Sequence, residues 1–423
     1  MNVKEVLKEI DFSLGKKELD CLKKESNEII LKLRKELQKQ KFNADVFLGG
    51  SLAKETLIKK NHLDIDIFVR FDWKIDNISL LLERIVKKCF SKKWKIQKIH
   101  GSRDYFGISK DKNIIFELIP VTKIKKPEEA RNITDLSYFH VDYIKNKLKK
   151  TNLTREIALS KAFSKANQVY GAESYINGFS GYGLECLIIY YKSFEKMLRE
   201  LIKVKDRIII DSEKKYKKKG DIVFELNESK LHSPIVLIDP TWKERNVLAA
   251  LSKETFDKFK IKAKEFLKKP SKRFFEDVKI DVDKLKSLAK KKNAEFVQVE
   301  IKTGRQAGDI AGTKMKKFSK FLISEISKYF DVLEKEFEYS GKKTGDLYLI
   351  LKSKKEIIRI GPPSDLPEHA KIFRKKNKNV FEKNGLLHTK IKINFTGKKF
   401  VNDYKKKNSG KLKDMGIIGL GIV

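Results

Sequence analysis

Val46-Phe47-Leu48-Gly49-Gly50-Ser51, followed by Asp64-Ile65-Asp66-Ile67-Phe68-Val69-Arg70-Phe71, is the stretch whose reading decides the fold. The apolar run 46–48 ends in two glycines and a serine. The second segment is β-branched and aromatic, which reads as a strand. Alternate side chains of a strand share a face, so Asp64 and Asp66 point the same way, about 7 Å apart, while Ile65 and Ile67 point into a core. Two carboxylates on one face suit Mg²⁺, a hard cation that takes oxygen ligands and completes its shell with phosphates and water. Gly49 and Gly50 let a backbone turn approach a triphosphate closely. Ser51 opens a short helix whose unpaired N–H groups and dipole attract phosphate. Asp-X-Asp alone is common, but the coupled pattern of strand, Gly-Gly-Ser, helix and Asp-X-Asp is not.

A third carboxylate is wanted for a metal-assisted displacement. Glu117 stands between Phe116 and Leu118 in a second strand spanning 113–121. An unpaired carboxylate among apolar neighbours is costly to bury, so Glu117 is either a metal ligand or one half of a salt bridge to a lysine. Helices are expected over 17–41 and 78–90, from the recurrence of apolar residues among Lys and Glu. Strands mixed with helices make the first ~145 residues an α/β or α+β domain. The pattern then turns helical: 154–169, and a long helix from an N-cap at Ser180 to about Lys203. A short strand is expected at 234–239, helix again from Lys243, and a boundary at Pro270. The last third mixes a helix over 314–329 with alternating segments at 346–351 and 389–395. The fold class is therefore α+β and multidomain.

The chain has 423 residues, with 95 Lys and Arg against 57 Asp and Glu, a formal net charge of +38. Hydrophobic residues are 40% and aromatic residues 10%, enough for packed cores. So large a basic excess points to a polyanion, nucleic acid first and an anionic membrane surface second. Cys21, Cys89 and Cys186 match no metal or disulfide spacing, which fits a reducing cytoplasm. No apolar run approaches the ~18 residues of a membrane span, and residues 1–10 lack the apolar centre of a signal peptide. Lysine-rich runs at 215–219, 374–378 and 405–407 read as solvated faces or as parts of a nucleic-acid track.

Further motifs sharpen the picture. Lys161-Ala-Phe-Ser-Lys-Ala-Asn-Gln-Val-Tyr170-Gly-Ala-Glu is followed by Gly178-Phe-Ser-Gly-Tyr182, by Asp239-Pro-Thr with Arg245-Asn246-Val-Leu-Ala-Ala, and by Gly361-Pro-Pro with His369. With Gly-Gly-Ser and Asp-Ile-Asp, the pattern resembles the DNA polymerase β-type nucleotidyltransferases and, more closely, the class I, archaeal-type CCA-adding enzymes. The resemblance covers nearly the whole chain. Gly-Gly-Ser alone would admit poly(A) polymerases and oligoadenylate synthetases; Gly-Phe-Ser-Gly-Tyr with Asp-Pro-Thr and Arg-Asn-Val is specific to the narrower group.

The resemblance implies addition of CCA to the tRNA 3′ end from CTP and ATP, with Mg²⁺ as cofactor and pyrophosphate as leaving group. It implies that Asp64 and Asp66, with Glu117 at the third position, hold metal. Gly50, Ser51 and Lys54 would approach the triphosphate; His140, Lys161 and Tyr170 would complete that pocket. Arg245, with Asn246, would face the incoming base. A nucleotidyltransferase head (1–148), a helical neck (149–270) and an α+β body and tail (271–423) holding the acceptor and TΨC arms follow, in the cytoplasm, with a homodimer left open. From lysine spacing alone, Lys161 and Lys165 fit a plain surface helix equally well. A lone His140 is more often structural, and Tyr170 before Gly171 fits a capping turn. Two departures stand out: the family usually has Arg at the position of Lys54 and Asp at that of Glu117. Glutamate reaches about 1.5 Å further than aspartate. The rival readings are a poly(A)-type or CC-only transferase and a non-catalytic basic RNA-binding protein.

Overall fold

The computed structural model describes residues 2–12, 14–59, 62–90, 93–110, 113–276 and 280–423, with the side chain of Lys219 outside the description. Two short or amphipathic helices open the chain, α1 (Val3–Lys8) and α2 (Lys16–Lys39). Strand β1 (Ala44–Leu48) runs into α3 (Gly50–Ala53), then β2 (Leu63–Phe71), α4 (Ile78–Cys89), β3 (Lys95–Ile99), β4 (Tyr105–Ser109) and β5 (Ile114–Thr122). The five strands form one sheet in the order β1-β2-β5-β4-β3, with β2 and β5 parallel and the other pairs antiparallel.

The period-2 pattern decides which face is covered. Val46, Ile65, Ile67, Val69, Phe116 and Leu118 all point to one side and are buried. Helix α2 lays Leu22, Ile29, Ile30, Leu33 and Leu37 into the same core, and α4 adds Ile78, Leu82, Ile85 and Val86. Burying such side chains contributes about 1.5–3 kcal/mol each, enough to fix the strand register. A one-residue slip in β2 would put Asp64 and Asp66 into that core. The opposite face carries Asp64, Asp66 and Glu117, together with the buried Phe68 and Val121.

Helices α5 (Ser137–Lys149), α6 (Thr154–Ala166), α7 (Gly181–Tyr191) and α8 (Phe194–Leu201) follow. Their core is aromatic, with Phe163 against Phe194, Phe259, Phe266 and Phe275, and α1 contributes Val3 and Val6 to it. Two three-residue strands, β6 (Ile208–Ile210) and β7 (Ile235–Leu237), pair in parallel beside it. Residues 1–172 with 176–277 make one compact unit, and 173–175 with 278–423 a second. The second unit carries a four-stranded sheet of β8 (Glu295–Thr303), β9 (Phe330–Tyr339), β10 (Thr344–Ser353) and β14 (Ile417–Ile422), in the order β14-β8-β10-β9. Between them in sequence, β11 (Glu356–Pro363), β12 (Val380–Lys383) and β13 (Leu386–Lys392) form a three-stranded sheet. The α+β class is observed in both units.

Several boundaries differ from expectation. The long helix from Ser180 breaks at Lys192, which is left-handed at φ +66°, and Ser193 caps a separate helix by accepting from the Lys196 N–H. From Lys243 the chain is turn rather than helix. The helix there spans Lys253–Lys268, capped by Ser252, because Asn246 diverts the preceding segment into a hydrogen-bonded turn. The 154–166 segment is a buried helix and not a surface one. The unit boundary falls at 277/278, after a 3₁₀ turn that packs Phe274 and Phe275 into the aromatic core, and not at Pro270.

Candidate active site

Asp64 and Asp66 lie on the open face of β2, Asp64 exposed and Asp66 half-buried, while Ile65 and Ile67 are buried on the other. The parallel register sets Glu117 directly beside Asp66, on the same face. On its far side Glu117 pairs with Gly107 of β4, where Ile115 and Ile99 fill the place of a side chain. Gly50 is left-handed at φ +57°, and a Cβ there would sit 1.6 Å from Asp66 Oδ2. Any other residue would collide with the carboxylate, so the glycine turn and the carboxylate are built against each other. The Gly49 N–H donates to the Asp66 carbonyl at 2.8 Å, tying the turn to β2.

These donors suit a divalent metal. They are hard carboxylate oxygens on one face, beside a backbone turn with no side chain in the way. Among the described residues no three Asp, Glu, His or Cys side chains already gather closely enough to hold an ion. Magnesium is characteristically held by one or two carboxylates and the substrate's phosphates rather than by an all-protein cage. Asp64 and Asp66 fit that pattern, with Glu117 beside Asp66 on the same face.

The lysines beside the turn are organised by a residue that the sequence reading missed. Glu185 of α7 is fully buried and accepts from Lys54 Nζ (2.7 Å), Lys161 Nζ (2.8 Å) and Thr56 Oγ1 (2.6 Å). Lys161 also donates to Thr56 Oγ1 and its carbonyl, at 2.9 and 3.0 Å. Burial pushes the Glu185 carboxyl up, but the two ammonium groups outweigh it and hold it at about 2. Its ion pairs therefore persist throughout the neutral range. The signal was legible: Gly181-Tyr-Gly-Leu-Glu185-Cys-Leu-Ile-Ile-Tyr-Tyr is apolar all round except for one acid, and a charge in a buried helix must be paired. Tyr170, bridged to Phe179, brings its hydroxyl to the start of α7, where a Cβ on Gly181 would lie 2.8 Å from it and 4.0 Å from Lys161 Cε.

One turn earlier on the same face of α7, Tyr182 joins a second cluster. Its ring lies 5.8 Å below Lys54 Nζ and stacks on His140 at 4.0 Å. Asp239, also fully buried, accepts from Tyr182 Oη (3.1 Å), Thr241 N–H (2.8 Å), His140 Nε2 (3.0 Å) and Arg245 Nη1 (2.5 Å). Burial opposes its ionisation, but His140 and Arg245 hold its carboxyl well below the usual carboxylate range. Arg245 is thus aimed from a short turn by a buried carboxylate. Asn246 lies behind that turn, its amide accepting from Leu237 and Leu248 N–H and donating to the Lys230 carbonyl. All of its bonding capacity goes to backbone, so it shapes the loop that carries Arg245.

Burial lowers the pKa of His140 from its ordinary 6.5, against the opposing pull of Asp239. A histidine kept neutral in the fold contributes stability that is complete above about pH 6.5 and is lost as pH falls below it. The melting temperature is expected to drop between pH 7 and pH 5.5, and His140→Gln to flatten part of that drop. Calorimetric scans of both proteins check this; parallel curves would remove His140 as the titrating group.

Expected positions therefore fall into three neighbouring groups within the first unit: Asp64, Asp66 and Glu117 with Gly50; Lys54 and Lys161 on Glu185, with Tyr170 close by; and His140 with Arg245 on Asp239. His140 sits in the last group rather than on the lysines, with Tyr182 between them. Asp239 and Tyr182 lie in motifs whose sequence alone shows no role for them, and Thr56 carries no signal of its own.

Residues 30–150 match the nucleotidyltransferase domain family, and residues 155–276 match the family described as tRNA nucleotidyltransferase, second domain. The chain is 32% identical over 376 residues to the CCA-adding enzyme of Nanoarchaeum equitans, covering 88% of each. It is 29% identical over 395 residues to that of Methanocaldococcus jannaschii, covering 90% of this chain and 86% of the relative. In fold, a solved structure of Cid1, described by its RNA terminal uridylyl transferase activity, aligns with TM-score 0.50 at 13% identity over 66% of this chain and 98% of its own. With the carboxylate face, the glycine turn and the two buried clusters in place, these matches make the chain a member of the CCA-adding enzyme family of tRNA nucleotidyltransferases.

Proposed function

We propose that this chain builds the CCA end of tRNA from CTP and ATP, using Mg²⁺. The RNA 3′-hydroxyl attacks the α-phosphate in line and pyrophosphate leaves. The observation that carries the reading is the fit of Gly50 against Asp66, whose carboxylate occupies the place of a Cβ; it supports a phosphate-approaching turn beside a metal-binding carboxylate. Bound there, Mg²⁺ supplies charge neutralisation for the displacement. Asp64, Asp66 and Glu117 hold and orient it. The N–H groups around Gly50 and Ser51 receive phosphate oxygens, and Lys54 adds positive charge beside them. Lys161 and Tyr170 support that side. Arg245, braced by Asp239 and His140, reads the base. Cytosine and adenine each offer an exocyclic amine and an acceptor ring nitrogen, and a polar pocket matched to that pair leaves guanine and uracil mispaired.

The head, neck and body-and-tail roles of 1–148, 149–270 and 271–423 belong to the same proposal, with the last part holding the acceptor and TΨC arms. Lys375, Lys376, Lys378 and Lys405–Lys407 are exposed in the second unit, as a phosphate track requires. Duplex RNA is recognised through backbone and shape. Log K for tRNA binding should then fall by about 0.7–0.9 per log unit of salt for each phosphate neutralised, giving a slope that corresponds to several contacts. A flat salt titration would mean that the +38 charge is not spent on RNA. Among the described residues no helix is long and apolar enough to cross a membrane.

The function is tested by incubating tRNA lacking CCA with each nucleotide alone and in pairs. CTP alone should give a CC end, CTP with ATP a CCA end, and UTP or GTP no extension. Long A tails would make it a poly(A)-type enzyme, arrest at CC with ATP present a CC-only enzyme, and binding without extension a non-catalytic protein.

A further inference from the structure

A carboxylate that takes no part in the chemistry of transfer sits between the two lysines of the phosphate side. Glu185 is fully buried, Lys161 is 3% exposed and Lys54 9%. The two lysines are not equivalent. Lys161 donates to Thr56 O, Thr56 Oγ1 and Glu185 Oε1, at 3.0, 2.9 and 2.8 Å. It is locked into the packing of α6 on α7. Lys54 gives one hydrogen to Glu185 Oε2 at 2.7 Å and lies over the Tyr182 ring. It follows directly on α3, the helix that Gly49 and Gly50 open, and so stands beside the turn that receives phosphate. Two cations and one anion leave this cluster with a single net positive charge.

We propose that Glu185 is the internal counter-ion with which substrate and product phosphates compete for Lys54. When a triphosphate enters, Lys54 turns from Glu185 to the phosphate oxygens. When pyrophosphate departs, Glu185 takes Lys54 back, so the lysine never stands unpaired in a low-dielectric pocket. Thr56 and Lys161 keep the Glu185 carboxylate fixed throughout, which makes Glu185 a positioning residue for release. The inference rests on the reading of the chain as a nucleotidyltransferase. It concerns what happens to the lysine after the phosphodiester bond has formed. A buried cation with no internal partner must be neutralised by its ligand, and holds it more tightly.

The test is Glu185→Gln, which keeps the shape and removes the charge. Pyrophosphate, as product inhibitor against CTP, is expected to bind at least about tenfold more tightly, the scale of one charge-assisted hydrogen bond. KM for CTP should fall and steady-state kcat should fall with it. The fall in steady-state kcat should exceed any change in the single-turnover rate of CMP addition, since release is the step that slows. A purely structural Glu185 predicts the reverse, a raised KM and no gain in pyrophosphate affinity, and that result would overturn the proposal. Thermal melts keep the test decisive if the variant is unstable. Pyrophosphate should raise the melting temperature of E185Q more than that of the wild type, or restore soluble protein on refolding, and failure to do either counts against it. Wild-type protein that does not extend tRNA lacking CCA would instead refute the functional reading; wild-type protein that extends it while E185Q shows no tighter pyrophosphate refutes this inference alone.

Discussion

Asp66→Ala is expected to lower single-turnover CMP addition by about 10³-fold or more while leaving tRNA affinity nearly unchanged. A carboxylate that holds metal at a reacting phosphate is worth several kcal/mol of transition-state stabilisation, and each ~1.4 kcal/mol is a factor of ten. The RNA, in contrast, is held mainly by phosphate contacts to lysine and arginine, which Asp66 does not make. The fold should survive. Asp66 is half-buried on the open face of β2, and its backbone remains paired with β5 and with the Gly49 N–H. Alanine also leaves the space against which Gly50 is fitted, so the glycine turn meets no new clash. Rapid-quench kinetics beside filter binding would check both halves. A variant that keeps most of its turnover would show that Asp66 holds no metal in the reaction.

Glu117→Gln should cost on the order of 10²-fold or more in the same assay, the usual range for a lost acid–base or charge-stabilising group. Glu117→Asp asks a finer question. The resemblance leads one to expect aspartate here, and a side chain one methylene longer must be absorbed somewhere. The β5 register sets Glu117 directly beside Asp66 on the same face. A site built around glutamate in this way is slowed by shortening, by about 10- to 100-fold, because reacting groups tolerate little displacement. AMP addition to tRNA ending in CC gives the rate. Acceleration by aspartate would mean that the site has drifted from an aspartate optimum, and no change in either variant would make Glu117 a structural ion-pair residue.

What could be read from the sequence was what alternation and local chemistry dictate. Asp64, Ile65, Asp66 and Ile67 alternate, so the face of each was fixed before any tertiary contact. The Gly49–Gly50 turn announced itself by composition, although the reason for Gly50 is tertiary: the Asp66 carboxylate occupies the place of its Cβ. Helix α2 followed from its periodicity. Helix ends were less legible, because a local cap decides them. Ser193 resembles any other serine until its side chain is seen to accept from Lys196, and the turn after β7 depends on Asn246 bonding to residues on both sides of it. The buried clusters were least legible. Lys54 and Glu185 are 131 residues apart, and His140 and Asp239 are 99 apart. No local pattern couples such pairs. Only the isolated acid in α7 carried a hint, since a buried charge must find a partner.

If the chain works as proposed, nucleotide and metal meet on the open face of β2 and β5. Anomalous scattering from Mn²⁺ in crystals of the intact chain with CTP tests it most directly. A manganese peak is expected within bonding distance of Asp64 and Asp66, with the triphosphate on the Gly50–Ser51 turn and its tail toward Lys54. A manganese peak and triphosphate density lodged elsewhere on the chain, with the Asp64–Asp66 face bare, would contradict it.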